Sequence, residues 1–189
     1  YLPAFEAAVA EGGAWSVMCA YNRVDGAPAC GSRRLLQEIL RGEWGFRGYV
    51  VSDCGAIDDI RDGHRLTSDS AEAAAMGLRA GTDLECGRSY RALGDALQRG
   101  LVAESDVDTA LARLFRARLR LGMFDPPSRV PFASVPYAAN DAPEHRALAL
   151  EAARKSIVLL TNDGTLPLRR DVRTLAVIGP NANDVDVLL

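Results

Sequence analysis

The chain has 189 residues, about one domain's worth, with 48% hydrophobic and 25% charged residues and a formal net charge of −3. That balance leaves enough apolar surface for a core and excludes a chain that is disordered throughout. Charges of both signs are interspersed, which argues against a nucleic-acid surface, and no run approaches the ~18 apolar residues of a membrane span.

The chain opens at Tyr1 and closes at Leu189, just past an apolar run. We expect an internal piece of a longer protein, so a missing leader carries no weight. Trp15–Ala20 and Tyr49–Ser52 read as buried strands, and Gly81–Glu85 as a weaker third. Helical patterns fill the gaps. Arg33–Arg41 has Ser32 as its cap and Gly42 past its end, and the Ala-rich Ser70–Arg79 stops before Gly81. Strand–helix units of about 30 residues imply a parallel sheet. Two helices follow, Arg88–Arg99 and a second opening at Ser105-Asp106-Val107-Asp108 as a capping box. The second helix places Val107, Leu111, Leu114 and Leu121 near one face, and its arginines read as a solvated face.

Five of the nine prolines lie in 125–143, and this stretch reads as an interdomain linker. A second α/β unit begins beyond it. Asp141 is expected to cap a helix from Pro143 to Lys155. Ile157–Leu160 and Leu175–Ile178 read as strands, and Asn162-Asp163-Gly164 as a turn. The expected domains are 1–124, 125–142 and 143–189. Residues 1–124 read as either the last part of a (β/α) barrel or part of an open sheet, and both place chemistry at the C-terminal strand ends.

Asp53 directly follows Tyr49–Ser52. A carboxylate on a rigid strand end suits a nucleophile or general base; it also suits a cap for the helix that Cys54-Gly55-Ala56 would start. Tyr21 ends the first strand, either donating to a neighbouring carboxylate or sitting as a satisfied rim tyrosine. Asp25-Gly26 reads as a turn, and His64 as an exposed loop histidine. Asp83 and Glu85 have only position behind them as partner carboxylates. Gly179-Pro180-Asn181 lacks a phosphate-cradle pattern. The cysteines are Cys19, Cys30, Cys54 and Cys86. With no C-x-x-C pair and only two histidines, no metal site is expected. An even count permits disulfides, although two or more buried thiols is the simpler reading.

Taken together, Ser16–Asn22, Leu40–Asp53, Ala80–Leu84, Ser156–Asn162 with Leu166–Leu168, and Ala176–Ala182 resemble the family 3 glycoside hydrolases, which hold β-glucosidases and β-xylosidases. The resemblance implies the C-terminal part of a TIM-like (β/α) barrel followed by the start of an α/β sandwich. It implies a retaining mechanism with Asp53 as nucleophile, an acid/base residue outside this chain, and Met18 and Tyr21 beside the sugar. The piece alone is expected to be inactive. Many glucosidases of the family carry Trp after the nucleophile, where Cys54 stands here. Ser-Asp-Cys-Gly-Ala-Ile with Asp-Leu-Glu-Cys-Gly looks like the β-xylosidase branch. A Cys54–Cys86 pair would fill the space of a hexose hydroxymethyl and favour a pentose; two reduced thiols without a steric role is the alternative. Cys19 and Cys30 stand as a possible second bridge. The expected activity is exo-acting removal of β-linked xylose from xylo-oligosaccharides, with no cofactor, no nucleic acid and no membrane. The rivals are a β-glucosidase, a non-catalytic carbohydrate-binding descendant, and a lyase-type barrel. The last is disfavoured because the only lysine, Lys155, lies away from any strand end. The substrate class implies a secreted or periplasmic protein; oligomeric state is not legible.

Overall fold

Val17, Val50 and Val51 are β-branched residues in short apolar runs, which suits half-buried strands. In the computed structural model, which describes residues 1–184, β1 (Ser16–Cys19) lies parallel to β4 (Tyr49–Ser52). Their register pairs Ser16 with Tyr49 and Cys19 with Ser52. The third expected strand contributes one parallel bridge, Leu84 to Val51, with Ser52 N donating to Leu84 O at 2.9 Å. Thus β4 runs between two parallel neighbours.

Helices and one hairpin connect these segments. β2 (Arg23–Val24) and β3 (Ala27–Pro28) pair across Asp25 and Gly26, both at positive φ, as a tight two-residue hairpin turn requires. A helix at Arg34–Glu43 follows; it is wound wide, with Trp44 N reaching Ile39 O at 3.0 Å. The expected cap is present, with Leu35 N donating to Ser32 Oγ at 3.3 Å, but the helix runs through Gly42 to Glu43. Between β4 and Leu84 lie α2 (Ala56–Asp62) and α3 (Ser70–Ala80). α1 (Leu2–Ala10), α4 (Leu93–Gln98) and α5 (Glu104–Arg120) complete the first unit. No described helix is long and apolar enough to cross a membrane.

Small residues set the packing. α3 buries Ala71, Ala73, Ala74, Ala75, Gly77, Leu78 and Ala80, so it can contribute to two core clusters at once. One holds Val50, Ile57, Ile60 and Ala73; the other holds Ala71, Ala75, Ala96 and Ala110. Gly48 is forced by close approach, because a Cβ there would lie 2.0 Å from Trp15 O.

α5 departs from expectation. Its cap residue is Ala103, whose N–H donates to Asp106 Oδ2 at 2.9 Å, one half of a capping box. Its buried residues are Ala110 and Ala117, whereas Leu111 and Leu121 are exposed. Nor are its arginines all solvated. Arg113 Nη1 meets Asp83 Oδ1 at 2.7 Å, and Arg120 stacks on the Trp15 ring at 3.9 Å. Asp83 Oδ2 takes Arg41 Nη2 at 2.6 Å and Val50 N at 2.9 Å. Burial lowers the Arg41 pKa, opposed by Asp83. The Asp83 carboxylate is thus a buried structural anchor that ties its own segment to β4, the Arg34–Glu43 helix and α5.

The chain divides into two compact units, Tyr1–Ser134 and Val135–Leu189. The second contains α6 (Pro143–Ser156). Its cap is Ala142; Asp141 pairs with Arg146 instead. Asn162-Asp163-Gly164 turns as expected, with Asn162 Oδ1 accepting from Gly164 N and Leu166 N. Ile157–Leu160 and Leu175–Ile178 form no strands. They are exposed and have no ladder partner among the described residues, and a strand without a neighbour leaves its backbone groups to water.

Candidate active site

Asp53 stands immediately after β4 and is fixed through its backbone. Its N–H donates to Cys19 O at 2.9 Å and its carbonyl accepts from Ala56 N at 3.0 Å. Its carboxylate turns back on the chain, with Oδ1 accepting from Cys54 N at 2.7 Å. Since Gly55 caps α2 without a side-chain bond, Asp53 is not the helix cap. Oδ2 accepts no hydrogen bond from any described residue. A half-exposed carboxylate with one oxygen engaged and one open is ready for nucleophilic attack or proton transfer.

The wall beside it is covalent. Cys54 and Cys86 form a disulfide with Cα atoms 4.3 Å apart. Gly55 N donates to Cys86 O at 2.6 Å, and Cys86 N donates to Ser52 Oγ at 3.0 Å. Gly55 adopts φ +86°, a left-handed turn that side chains disfavour. Cys19 and Cys30 form a second disulfide, Cα atoms 5.0 Å apart, and Thr82 donates to Cys30 O at 2.8 Å. The buried-thiol reading is therefore overturned for all four cysteines. Strand neighbours bring Cys54 to Cys86, and the hairpin brings Cys30 back to Cys19.

The Tyr21 hydroxyl donates to the Cys54 carbonyl, not to a carboxylate. Met18 lines an apolar groove of about 680 Å³ with Leu2, Phe5, Leu36 and Trp44; Asp53, Cys54 and Cys86 are not among its lining residues. Glu85 caps the turn that follows it, with Oε1 accepting from Ser89 N at 2.9 Å and Oε2 from Tyr90 N at 2.5 Å. Burial raises the Glu85 pKa; those N–H groups oppose the shift and the Asp58 charge adds to it. No described group of three or more His, Cys, Asp or Glu is placed to hold a metal.

His64 is not the exposed loop histidine that its polar surroundings predict. Its side chain is only 16% exposed. Arg23 Nε donates to Nδ1 at 3.0 Å, and Nε2 meets Tyr21 O at 2.7 Å. Nothing local in Asp62-Gly63-His64-Arg65 signals this. Arg113 did leave a trace, since it falls between Ala110 and Ala117 on the inward face of α5.

Residues 1–117 match the model of the glycosyl hydrolase family 3 N-terminal domain. A xylan 1,4-beta-xylosidase of Xylanibacter ruminicola is 44% identical over 187 residues, 97% of this chain and 22% of that protein. A structure of the family 3 exo-beta-xylosidase XlnD, in complex with a xylobiose aziridine activity-based probe, superposes with a TM-score of 0.77. It is 37% identical and is matched over 92% of this chain and 23% of that one. A β-glucosidase from Erythrobacter marinus gives a TM-score of 0.72 at 40% identity, over 89% and 22% of the two chains. The chain thus spans roughly a quarter of these relatives' length, and it belongs to glycosyl hydrolase family 3.

Proposed function

We propose that the whole protein is a retaining, exo-acting β-xylosidase with Asp53 as its nucleophile. The observation that carries this reading is the Asp53 carboxylate, anchored at the end of β4 with Oδ2 open and the Cys54–Cys86 disulfide beside it. Oδ2 attacks the anomeric carbon of a terminal β-xylosyl unit as the glycosidic bond breaks, leaving a covalent glycosyl-enzyme. A second carboxyl group about 5–5.5 Å away protonates the leaving oxygen and then activates the water that hydrolyses the ester. That second group belongs to a part of the protein outside these residues, and the chain alone is inactive.

In this reading residues 1–124 are the C-terminal part of a (β/α) barrel, 125–142 the linker and 143–189 the opening of an α/β sandwich. The parallel order of β1, β4 and Leu84 supports it, because active sites of such barrels sit at C-terminal strand ends. Met18, Tyr21, Cys54 and Cys86 border the sugar, and the disulfide occupies the space a hexose hydroxymethyl needs. Pairing of every cysteine supports folding in an oxidising compartment, secreted or periplasmic.

The likeness to the β-glucosidase structure favours a second reading, glucoside hydrolysis at the same nucleophile. Both are tested by incubating the full-length protein with 2-fluoro-xyloside and locating the modified peptide by mass spectrometry. Label on Asp53 is expected. Label from the 2-fluoro-glucoside alone would transfer the reading to a β-glucosidase. No label from either sugar, in folded protein, would overturn catalysis in favour of a carbohydrate-binding role.

A further inference from the structure

We propose that His64, in its neutral form with the proton on Nε2, is a positioning residue for the Asp53–Cys54 segment and acts through Tyr21. The inference rests on the reading of Asp53 as nucleophile. The tautomer follows from the partners. Arg23 Nε is always a donor and lies 3.0 Å from Nδ1, so Nδ1 carries the lone pair. Nε2 then holds the proton and donates it to Tyr21 O at 2.7 Å, with Asp59 Oδ2 3.3 Å from the same nitrogen. Arg23 Nη2 also donates to the His64 carbonyl at 2.6 Å, so one guanidinium grips both ends of the residue.

The clasp joins two loops that β4 separates in sequence. His64 follows α2, held by its own N–H to Asp59 O at 2.8 Å. Tyr21 follows β1, and its hydroxyl reaches across to the Cys54 carbonyl. Tyr21 is therefore held at two points, its carbonyl by His64 and its hydroxyl against the peptide next to Asp53. The charged groups facing the ring are Arg23 from β2 and Asp59 from α2, and Arg65 is its chain neighbour. The clasp therefore needs an acceptor at Nδ1 and a donor at Nε2 on the same side chain.

The test uses the full-length protein and the rate at which a 2-fluoro-xyloside labels Asp53, or the 2-fluoro-glucoside if only that sugar labels. Failure of the wild-type protein to label Asp53 with either sugar would overturn the nucleophile reading and, with it, this inference. Given wild-type labelling, His64→Phe is expected to slow it about tenfold or more, since small misplacements of reacting groups carry such losses. His64→Gln keeps a donor within reach of Tyr21 O and recovers most of that loss. A His64→Phe rate within about twofold of wild type would overturn the inference alone and leave Asp53 as nucleophile. So would a Gln variant as slow as Phe. If His64→Phe does not fold, His64→Ala takes its place under the same limits.

Discussion

At its N-terminal end β4 is held by close backbone approach and buried charge. Gly48 passes against Trp15 O, and Asp83 gathers Val50 N, Arg41 and Arg113 at the first residues of the strand. At its C-terminal end the strand is held by loops: Tyr21 on Cys54, Gly55 on Cys86, and a disulfide, around a half-exposed carboxylate. Substitutions at the two ends should therefore register differently. Changes at the buried end should appear as lost stability, and changes at the open end as lost chemistry or altered selectivity.

The largest effect expected is at the open end. Asp53→Asn in the full-length protein should reduce kcat about 10⁴-fold or more, the scale seen when a single nucleophile is removed from a covalent-catalysis site. The asparagine oxygen still accepts from Cys54 N, so the unfolding midpoint should stay close to that of wild type. Steady-state kinetics beside a thermal melt check this; a large drop in melting temperature would break the division between the two ends.

Asp83→Asn should do the reverse. Removing one partner of a buried ion pair costs about 3–5 kcal/mol because the remaining charge is left uncompensated, and here two arginines are left. Urea unfolding measures the loss. The folded fraction, counted by covalent trapping, should turn over at close to the wild-type rate. A tenfold lower rate per trapped site would show that the clamp also shapes the chemistry.

Much of this arrangement was legible in the residues. Val17, Val50 and Val51 gave away their strands, and Gly81 marked the end of α3, because these signals are local. Asp53 was placed by the same logic, as the first residue past a buried strand. The disulfides were not fixed by spacing, since their geometry depends on which strands are neighbours. The Asp83 clamp was hidden because Arg41, Asp83 and Arg113 are far apart in the chain and only the fold brings them together. Ile157–Leu160 and Leu175–Ile178 show the opposite error. Their apolar pattern is sound, yet a pattern specifies a strand only where a neighbour completes its hydrogen bonds.

Within the C-terminal end, the two disulfides should differ in what they control. Cys86→Gly removes a crosslink between residues 32 apart, and chain-entropy arguments place its contribution at about 3–4 kcal/mol. Aryl glucoside hydrolysis should rise relative to aryl xyloside hydrolysis, because the space beside Asp53 is released. Opening Cys19–Cys30 instead, by Cys30→Ala, should lower stability while leaving the ratio between the two sugars unchanged. Unchanged discrimination in Cys86→Gly would end the steric account of pentose preference.

The smallest effect is a pH dependence carried by Glu85, two residues beyond Asp83 on the same segment. Burial is the largest influence on its carboxyl and raises the pKa, with the Ser89 and Tyr90 N–H groups opposing. Between the unfolded value of about 4.3 and the raised folded one, the folded protein holds more of this proton than the unfolded chain. Stability from this group therefore declines as pH rises through that window and is level on either side. Asp69 and Glu72 work in the opposite sense. Backbone N–H groups lower both values, so their contribution is present above the ordinary carboxylate range and is lost as pH falls. The total curve mixes these slopes, and the difference between wild type and Glu85→Gln isolates one. Urea midpoints taken across the acidic range should show the wild type losing ground to the variant as pH rises from about 4.3. A wild type that gains ground instead would mean that the two N–H donors outweigh burial, and that the turn after Cys86 is held by an ionised carboxylate from low pH upward.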